Sequence, residues 1–184
     1  NNRYMNNTCR IAAGSLGALL ARQRPHWDFS SANANLTPNG RSALWYITDD
    51  NDTVESINVA DNDILADDVG GLAKTITTCS RLQSLDLANN NLMKLTTEYV
   101  AQWHILCEAL GSSSTLTSLN LNNNHLGANG VRIAAKQLLT CTGLKRLGFS
   151  YNEPGVEPAL ADLLRAHPAL ESIELVEALD RHLP

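Results

Sequence analysis

Five times along the chain the same nine-residue phrase recurs, with apolar residues at its first, fourth and sixth places and polar or small residues at most of the others. Its copies are Val54 to Asn62, Leu82 to Asn90, Leu116 to Asn124, Leu144 to Asn152 and Leu170 to Ala178. The alternation of the fourth and sixth places (Ile57 and Val59, Leu85 and Leu87, Leu119 and Leu121, Leu147 and Phe149, Ile173 and Leu175) is that of a strand with one buried face. Between the phrases the apolar spacing changes to a helical one: Val69, Leu72, Ala73 and Ile76; Val100, Trp103, Cys107 and Leu110; Val131, Ala134, Ala135 and Leu138; Leu160, Leu163 and Leu164. Each unit is therefore expected to run strand, loop, helix, loop, with strands centred on residues 57, 85, 119, 147 and 173. From fourth place to fourth place the spacings are 28, 34, 28 and 26 residues.

Units of this kind bury their apolar faces only against their neighbours, so the repeats predict a curved solenoid. The Asn at the ninth place has a mechanical task. Where the chain leaves the strand its backbone groups lose their ladder partners, and a carboxamide can replace both a donor and an acceptor. Asn62, Asn90, Asn124 and Asn152 are accordingly expected to be structural, while Asp67 and Asn129 stand where helix N-caps are expected.

The ends depart from the pattern. Residues 9–23 read as an amphipathic helix carrying Ile11, Leu16, Leu19 and Leu20, left over from an incomplete repeat. Trp27-Asp28-Phe29 looks like a first strand whose register is divided: matching Leu36 to Leu126 puts Phe29 at the fourth place, and the hydrophobic alternation puts Trp27 there. At the far end Ala178 replaces the Asn, so the last repeat is either a terminal cap or a cut edge, with Ile173 to Val176 as a strand edge open to another chain.

The phrase L-x-x-L-x-L-x-x-N-x-L resembles the leucine-rich repeat family, and a period near 28 resembles its ribonuclease-inhibitor subclass, to which Ran GTPase-activating proteins and NOD-like receptor repeats are similar. That resemblance implies an α/β fold, a right-handed α/β horseshoe with a parallel sheet on the concave face and helices on the convex face. The chain is read as a single leucine-rich repeat domain over 1–184, with an N-terminal helix and irregular first repeat in 1–53, regular repeats in 54–169 and a terminal repeat or truncated edge in 170–184.

Composition narrows the function. At 43% hydrophobic and 18% charged residues, 184 residues make one folded domain, and an aromatic content of 5% makes its core aliphatic. A net charge of −5 without a basic stripe argues against nucleic acid. The longest apolar stretches, such as Ile11 to Ala21, fall short of the ~20 residues of a membrane span, and Asn1-Asn2-Arg3-Tyr4 opens no signal core, so no membrane insertion and a soluble, cytoplasmic protein are expected. The missing initiator Met leaves a fragment or processed form open, and a secreted bacterial effector or host-exposed form stays open with it. Cys9, Cys79, Cys107 and Cys141 lack the paired spacing of a metal or redox site and are expected as free thiols. N-x-T sequons at Asn6, Asn35 and Asn51 are what so Asn-rich a sequence produces by chance.

Candidate chemistry is sparse. The acidic stretch Asp49, Asp50, Asp52, Glu55, Asp61, Asp63, Asp67 and Asp68 does not fit an EF-hand and reads as a solvated edge. His104 and Cys107 are too few ligands for a metal, and His26, Asp28 and nearby serines lack the turn and oxyanion hole of a nucleophilic site. No phosphate loop and no cofactor motif is present, so the chain is read as non-enzymatic. What remains are the rows of the concave face: Ser56, Ser84, Ser118, Arg146 and Ser172 at the third place; Asn58, Asp86, Asn120, Gly148 and Glu174 at the fifth; Asp61, Asn89, Asn123, Tyr151 and Glu177 at the eighth. These rows are small and polar until Lys145, Arg146 and Tyr151 arrive together, residue types enriched in interface hot spots, with Gly148 leaving room for a partner. A protein partner is expected to touch Asp86, Asn120, Lys145, Arg146, Tyr151 and Glu174; a merely solvated face with Arg146 paired to Glu174 is the alternative. Trp103, in the 34-residue repeat, is either an exposed anchor or core. The family resemblance also implies two other uses: a GTPase-activating module in which Arg41, one residue out of phase, stands for a loop arginine, or the recognition part of a larger receptor, ligase or effector.

Overall fold

A computed structural model describes residues 24–30, 36–49, 51–93, 97–152 and 157–175. Six strands, β1 (His26–Asp28), β2 (Ser56–Asn58), β3 (Ser84–Asp86), β4 (Ser118–Asn120), β5 (Arg146–Gly148) and β6 (Ser172–Glu174), form one sheet in chain order. Every neighbouring pair is parallel. Between them lie α1 (Pro38–Thr48), α2 (Val69–Thr78), α3 (Thr97–Ser112), α4 (Gly127–Leu138) and α5 (Glu157–Ala166). The result is an α/β leucine-rich repeat solenoid, with the sheet inside the curve and the helices outside. The helix expected over 9–23, Cys9 and Ala178 lie outside the described residues.

All five expected strand centres are met, and the fourth places align as Trp27, Ile57, Leu85, Leu119, Leu147 and Ile173. The divided register of the first strand is settled for Trp27, which is 1% exposed and packs edge-on to Phe29 at 6.0 Å between ring centroids. Leu36 nonetheless corresponds to Leu126, because its N–H donates to Asn62 Oδ1 (2.7 Å) as that of Leu126 does to Asn152 Oδ1 (3.5 Å). Both signals were sound, since 9 residues separate Trp27 from Leu36 where 7 separate Leu119 from Leu126.

The expected N-caps are not where the sequence put them. Asp67 is exposed inside a 3-10 turn (Ala66–Asp68), and the buried Asp68 does the work, accepting from Leu65 N–H (3.1 Å) and Arg41 Nε (2.8 Å). Asn129 lies exposed in the first turn of α4, which has no side-chain cap. Trp103 is core: it is fully buried, and its Nε1–H donates to Gly130 O (2.9 Å). The long repeat places its surplus in α3, 16 residues against 10 in α2 and 12 in α4.

Two buried polar spines tie the repeats together. In the first, the ninth-place asparagines are at most 3% exposed. Each Nδ2 donates to carbonyls of its own and the preceding repeat, as Asn90 does to Leu87, Ala88 and Val59, and the Oδ1 of Asn90 accepts from the N–H groups of Asn62 and Ile64. The second spine lies three residues before each phrase, at Asn51, Cys79, Ser113, Cys141 and His167, all buried. Asn51 Oδ1 and Ser113 Oγ accept from the turns that follow them, whereas the Cys79 thiol donates to Thr48 O, that of Cys141 to Ser113 O, and His167 Nε2 bonds Cys141 O. Different side chains meet one need, the backbone left unpaired between helix and strand.

Candidate functional site

Parallel pairing puts the third and fifth places of adjacent strands side by side on the concave face, ~4.8 Å apart. Between β3 and β6 they line an open hollow of about 280 Å³, with Ser84, Asp86, Ser118, Asn120, Arg146, Ser172 and Glu174 as its polar side chains. Four of the six expected partner-binding residues thus meet in one place. Lys145 and Tyr151 lie outside the lining: Lys145 is bonded to Glu171 (3.3 Å) on the surface, and Tyr151, 48% exposed, stands on the loop that follows β5. The alternative pairing of Arg146 with Glu174 is not formed, and among the described residues neither makes an ion pair.

Asp86 and Asn120 have a second task that the sequence reading missed. Fifth-place side chains accept the backbone N–H two residues on: Asp28 from Ser30, Asn58 from Ala60, Asp86 from Ala88 and Asn120 from Asn122, at 3.0–3.1 Å. The other oxygen of Asp86 accepts from Asn120 Nδ2 (3.2 Å). These are Asx turns that end the strands. Gly148 has no side chain to do this, and Asn122 of the preceding repeat does it instead, its Oδ1 accepting from Ser150 N–H (2.7 Å). A Cβ on Gly148 would lie 2.7 Å from Asn120 Oδ1 and 2.8 Å from Asn122 Oδ1. The space expected for a partner at Gly148 is therefore filled by the protein's own carboxamides.

The eighth row shares another feature. Asp61, Asn89, Asn123 and Tyr151 have φ of 63°, 53°, 53° and 59°, the left-handed region. Asn and Asp visit it most readily among residues with a side chain, which is the signal that was legible in three of the four.

Other candidates take structural places. The acidic stretch is not a uniformly solvated edge: Asp68 is buried against Arg41, Asp49 pairs with Lys74 and Glu55 with Arg81, and Asp63 accepts from Asn91. Arg41 also donates to the carbonyls of Leu36 and Asn62, and with its side chain 7% exposed the guanidinium is not presented to a ligand. His26 Nδ1 lies 2.9 Å from Ser56 Oγ on the exposed face, with Asp28 Oδ1 occupied by Ser30. Among the described residues no three His, Cys, Asp or Glu side chains are grouped to hold a metal ion, and no helix is long and apolar enough to cross a membrane. Cys79, Cys107 and Cys141 are buried thiols that form no disulfide among the described residues. Burial, with Glu108 nearby, raises the Cys107 thiol far above its ordinary range, and burial pushes Cys141 up to about 11, so neither is a ready nucleophile.

Two family models, both described as leucine-rich repeat, match residues 81–103 and 112–132, the third and fourth strands with their flanks. No curated protein matches the sequence. Among solved structures the chain is similar to actin-binding site 2 of leiomodin-1, with 18% identity over 89% of this chain and 87% of that one and a TM-score of 0.59. It is similar also to the tropomodulin C-terminal domain of Caenorhabditis elegans, with 15% identity, 89% and 90% coverage and a TM-score of 0.61.

Proposed function

We propose that this leucine-rich repeat protein is a non-enzymatic interaction module that holds a protein partner against its concave face between β3 and β6. The observation that carries the reading is the contrast within that face. From β1 to β4 the His26 ring bonds Ser56, and the fifth-place side chains bond one another or the turns beside them, as Asn120 does Asp86 and Asn58 does Ala60. At β5 and β6 Arg146 and Glu174 are exposed and make no ion pair among the described residues. An exposed guanidinium with neutral Ser118 and Ser172 as its strand neighbours suits a partner's carboxylate. A full helix after each of the first five strands supports the ribonuclease-inhibitor-like subclass, and three buried thiols without a disulfide support a cytoplasmic protein. The net charge of −5 without a basic stripe supports a protein and not a nucleic acid as ligand.

Monomeric actin is the first partner to test, because a structural neighbour is an actin-binding site. Arg146→Glu is expected to weaken partner binding by about 2 kcal/mol or more at unchanged melting temperature. Asp61→Ala, at the acidic end of the face, is expected to do much less. Affinities measured by titration against actin, or against a partner isolated on the immobilised protein, decide the matter. Equal affinity of wild type and Arg146→Glu removes the docking surface from this face.

A further inference from the structure

We infer that Tyr151, on the loop beside the hollow, is the specificity-determining anchor for a partner docked there, an aromatic side chain kept in a left-handed turn that the fold alone would give to Asn. The inference rests on the docking surface proposed above and names the residue that reads the partner. The eighth row shows what the turn requires. In three preceding repeats Asp61, Asn89 and Asn123 occupy it, and Asn123 Nδ2 donates to Asn89 Oδ1 (3.0 Å), so neighbouring carboxamides also bond along the row. Tyr151 keeps the backbone, at φ 59°, with a bulky side chain for which that conformation is unfavourable. It also forgoes the carboxamide bond its position offers.

Among the described residues nothing offsets this. The residue is 48% exposed, so it adds little to the core, and among the described residues no hydrogen bond holds its hydroxyl. Burial by a partner would supply what folding does not, since a Tyr presents a large, rigid surface with few torsions to freeze. Arg146 lies five residues before it on the same strand and loop, so along the strand direction the two are at most about 16 Å apart. The partner surface that fits carries an apolar hollow for the ring and, within that span, a carboxylate for the guanidinium. A local rule broken at one exposed position, and kept at its three equivalents, is where a recognition residue belongs.

The test uses Tyr151→Asn, Tyr151→Phe and Arg146→Glu in the full chain, with two readouts: the melting temperature, and the proteins retained from a cell lysate by each immobilised variant, quantified by mass spectrometry. Tyr151→Asn should melt about 2 to 4 °C higher than wild type while retaining at least tenfold less of the proteins that wild type holds. Tyr151→Phe should keep both the lower melting temperature and most of the retention. A melting temperature for Tyr151→Asn that is unchanged or lower overturns the inference, because then the tyrosine imposes no strain. Retention unchanged in Tyr151→Asn but lost in Arg146→Glu also overturns it while leaving the docking face standing; retention unchanged in both removes that face as well.

Discussion

Asn90 and Asn124 stand at the same place in consecutive repeats, both buried, and the joints they close are unequal. The Asn90 side chain makes five hydrogen bonds, three through Nδ2 and two through Oδ1, the latter to the N–H groups of Asn62 and Ile64 in the repeat before. Asn124 keeps the three donor bonds, to Leu87, Leu121 and Asn122, but its buried Oδ1 has no partner among the described residues. The missing donors would be those of Asn90 and Leu92, and there the chain departs from its neighbours. Asn91 N–H turns to Ile64 O (3.1 Å), and the 34-residue repeat begins its longer excursion into α3. A spine residue is thus worth as much as the loop that comes to meet it.

Replacing the asparagines tests this inequality most severely. Asn90→Ala is expected to cost about 3 to 4 kcal/mol, since it strands backbone groups on both sides of the joint, and Asn124→Ala about 1 to 2 kcal/mol, since it removes an unpartnered oxygen along with three donor bonds. Urea unfolding of the two variants measures both, and equal losses would mean that the Asn124 oxygen has a partner after all.

The carboxamide that one repeat lends another at β5 can be broken more gently. Gly148→Ala should destabilise by about 1 to 3 kcal/mol, because its Cβ must displace Asn120 Oδ1 or Asn122 Oδ1, and both hold backbone N–H groups. A thermal melt as high as that of wild type would show that the two side chains yield freely.

The second spine adds a dependence on pH that the first cannot have. Cys141 is raised to about 11 from 9.0, so the folded protein holds its proton longer than the unfolded chain does. Stability from this group is complete below about pH 9 and is lost as pH rises toward 11, by about 1 to 3 kcal/mol. Cys107, raised further, acts in the same direction. Cys141→Ala should flatten part of the decline in melting temperature between pH 9 and 11; an identical decline in the variant assigns it elsewhere.

The smallest effect is local. Ile64 N–H, held by Asn90 Oδ1 at 2.8 Å, should exchange with deuterium at least tenfold more slowly than Leu92 N–H, its counterpart at the weaker joint. Equal protection would place another acceptor at Leu92.

How much of this was readable depends on whether one residue type serves one need. Apolar residues at the fourth and sixth places do nothing but fill the core, so the five regular strand centres and their register followed directly, while the first strand stayed divided between Trp27 and Phe29 until the pairing with Ile57 decided it. The first spine was legible because Asn serves it at four joints. The second was not, because Asn51, Ser113, His167 and two cysteines serve it with different atoms, and only Cys79 and Cys141 look alike. The caps at Asp67 and Asn129 failed because a 3-10 turn precedes α2, and because α4 begins without a side-chain cap. Gly148 misled for a reason no single repeat reveals: its emptiness is filled by Asn122, 26 residues earlier. At the site itself, Asp86, Asn120, Arg146 and Glu174 were legible as one surface because the period alone aligns them.

Asn51 carries a consequence of another kind. It opens the tripeptide Asn51-Asp52-Thr53, yet it is 3% exposed, with its Oδ1 held by the N–H groups of Thr53 and Val54 and by the Thr53 hydroxyl. A sugar attached to its amide nitrogen would have to pass through the joint between α1 and β2, so carbohydrate on this residue and the folded first repeat exclude one another. Any oligosaccharide found at Asn51 would mark a chain that was modified before that joint closed and could not close it afterwards.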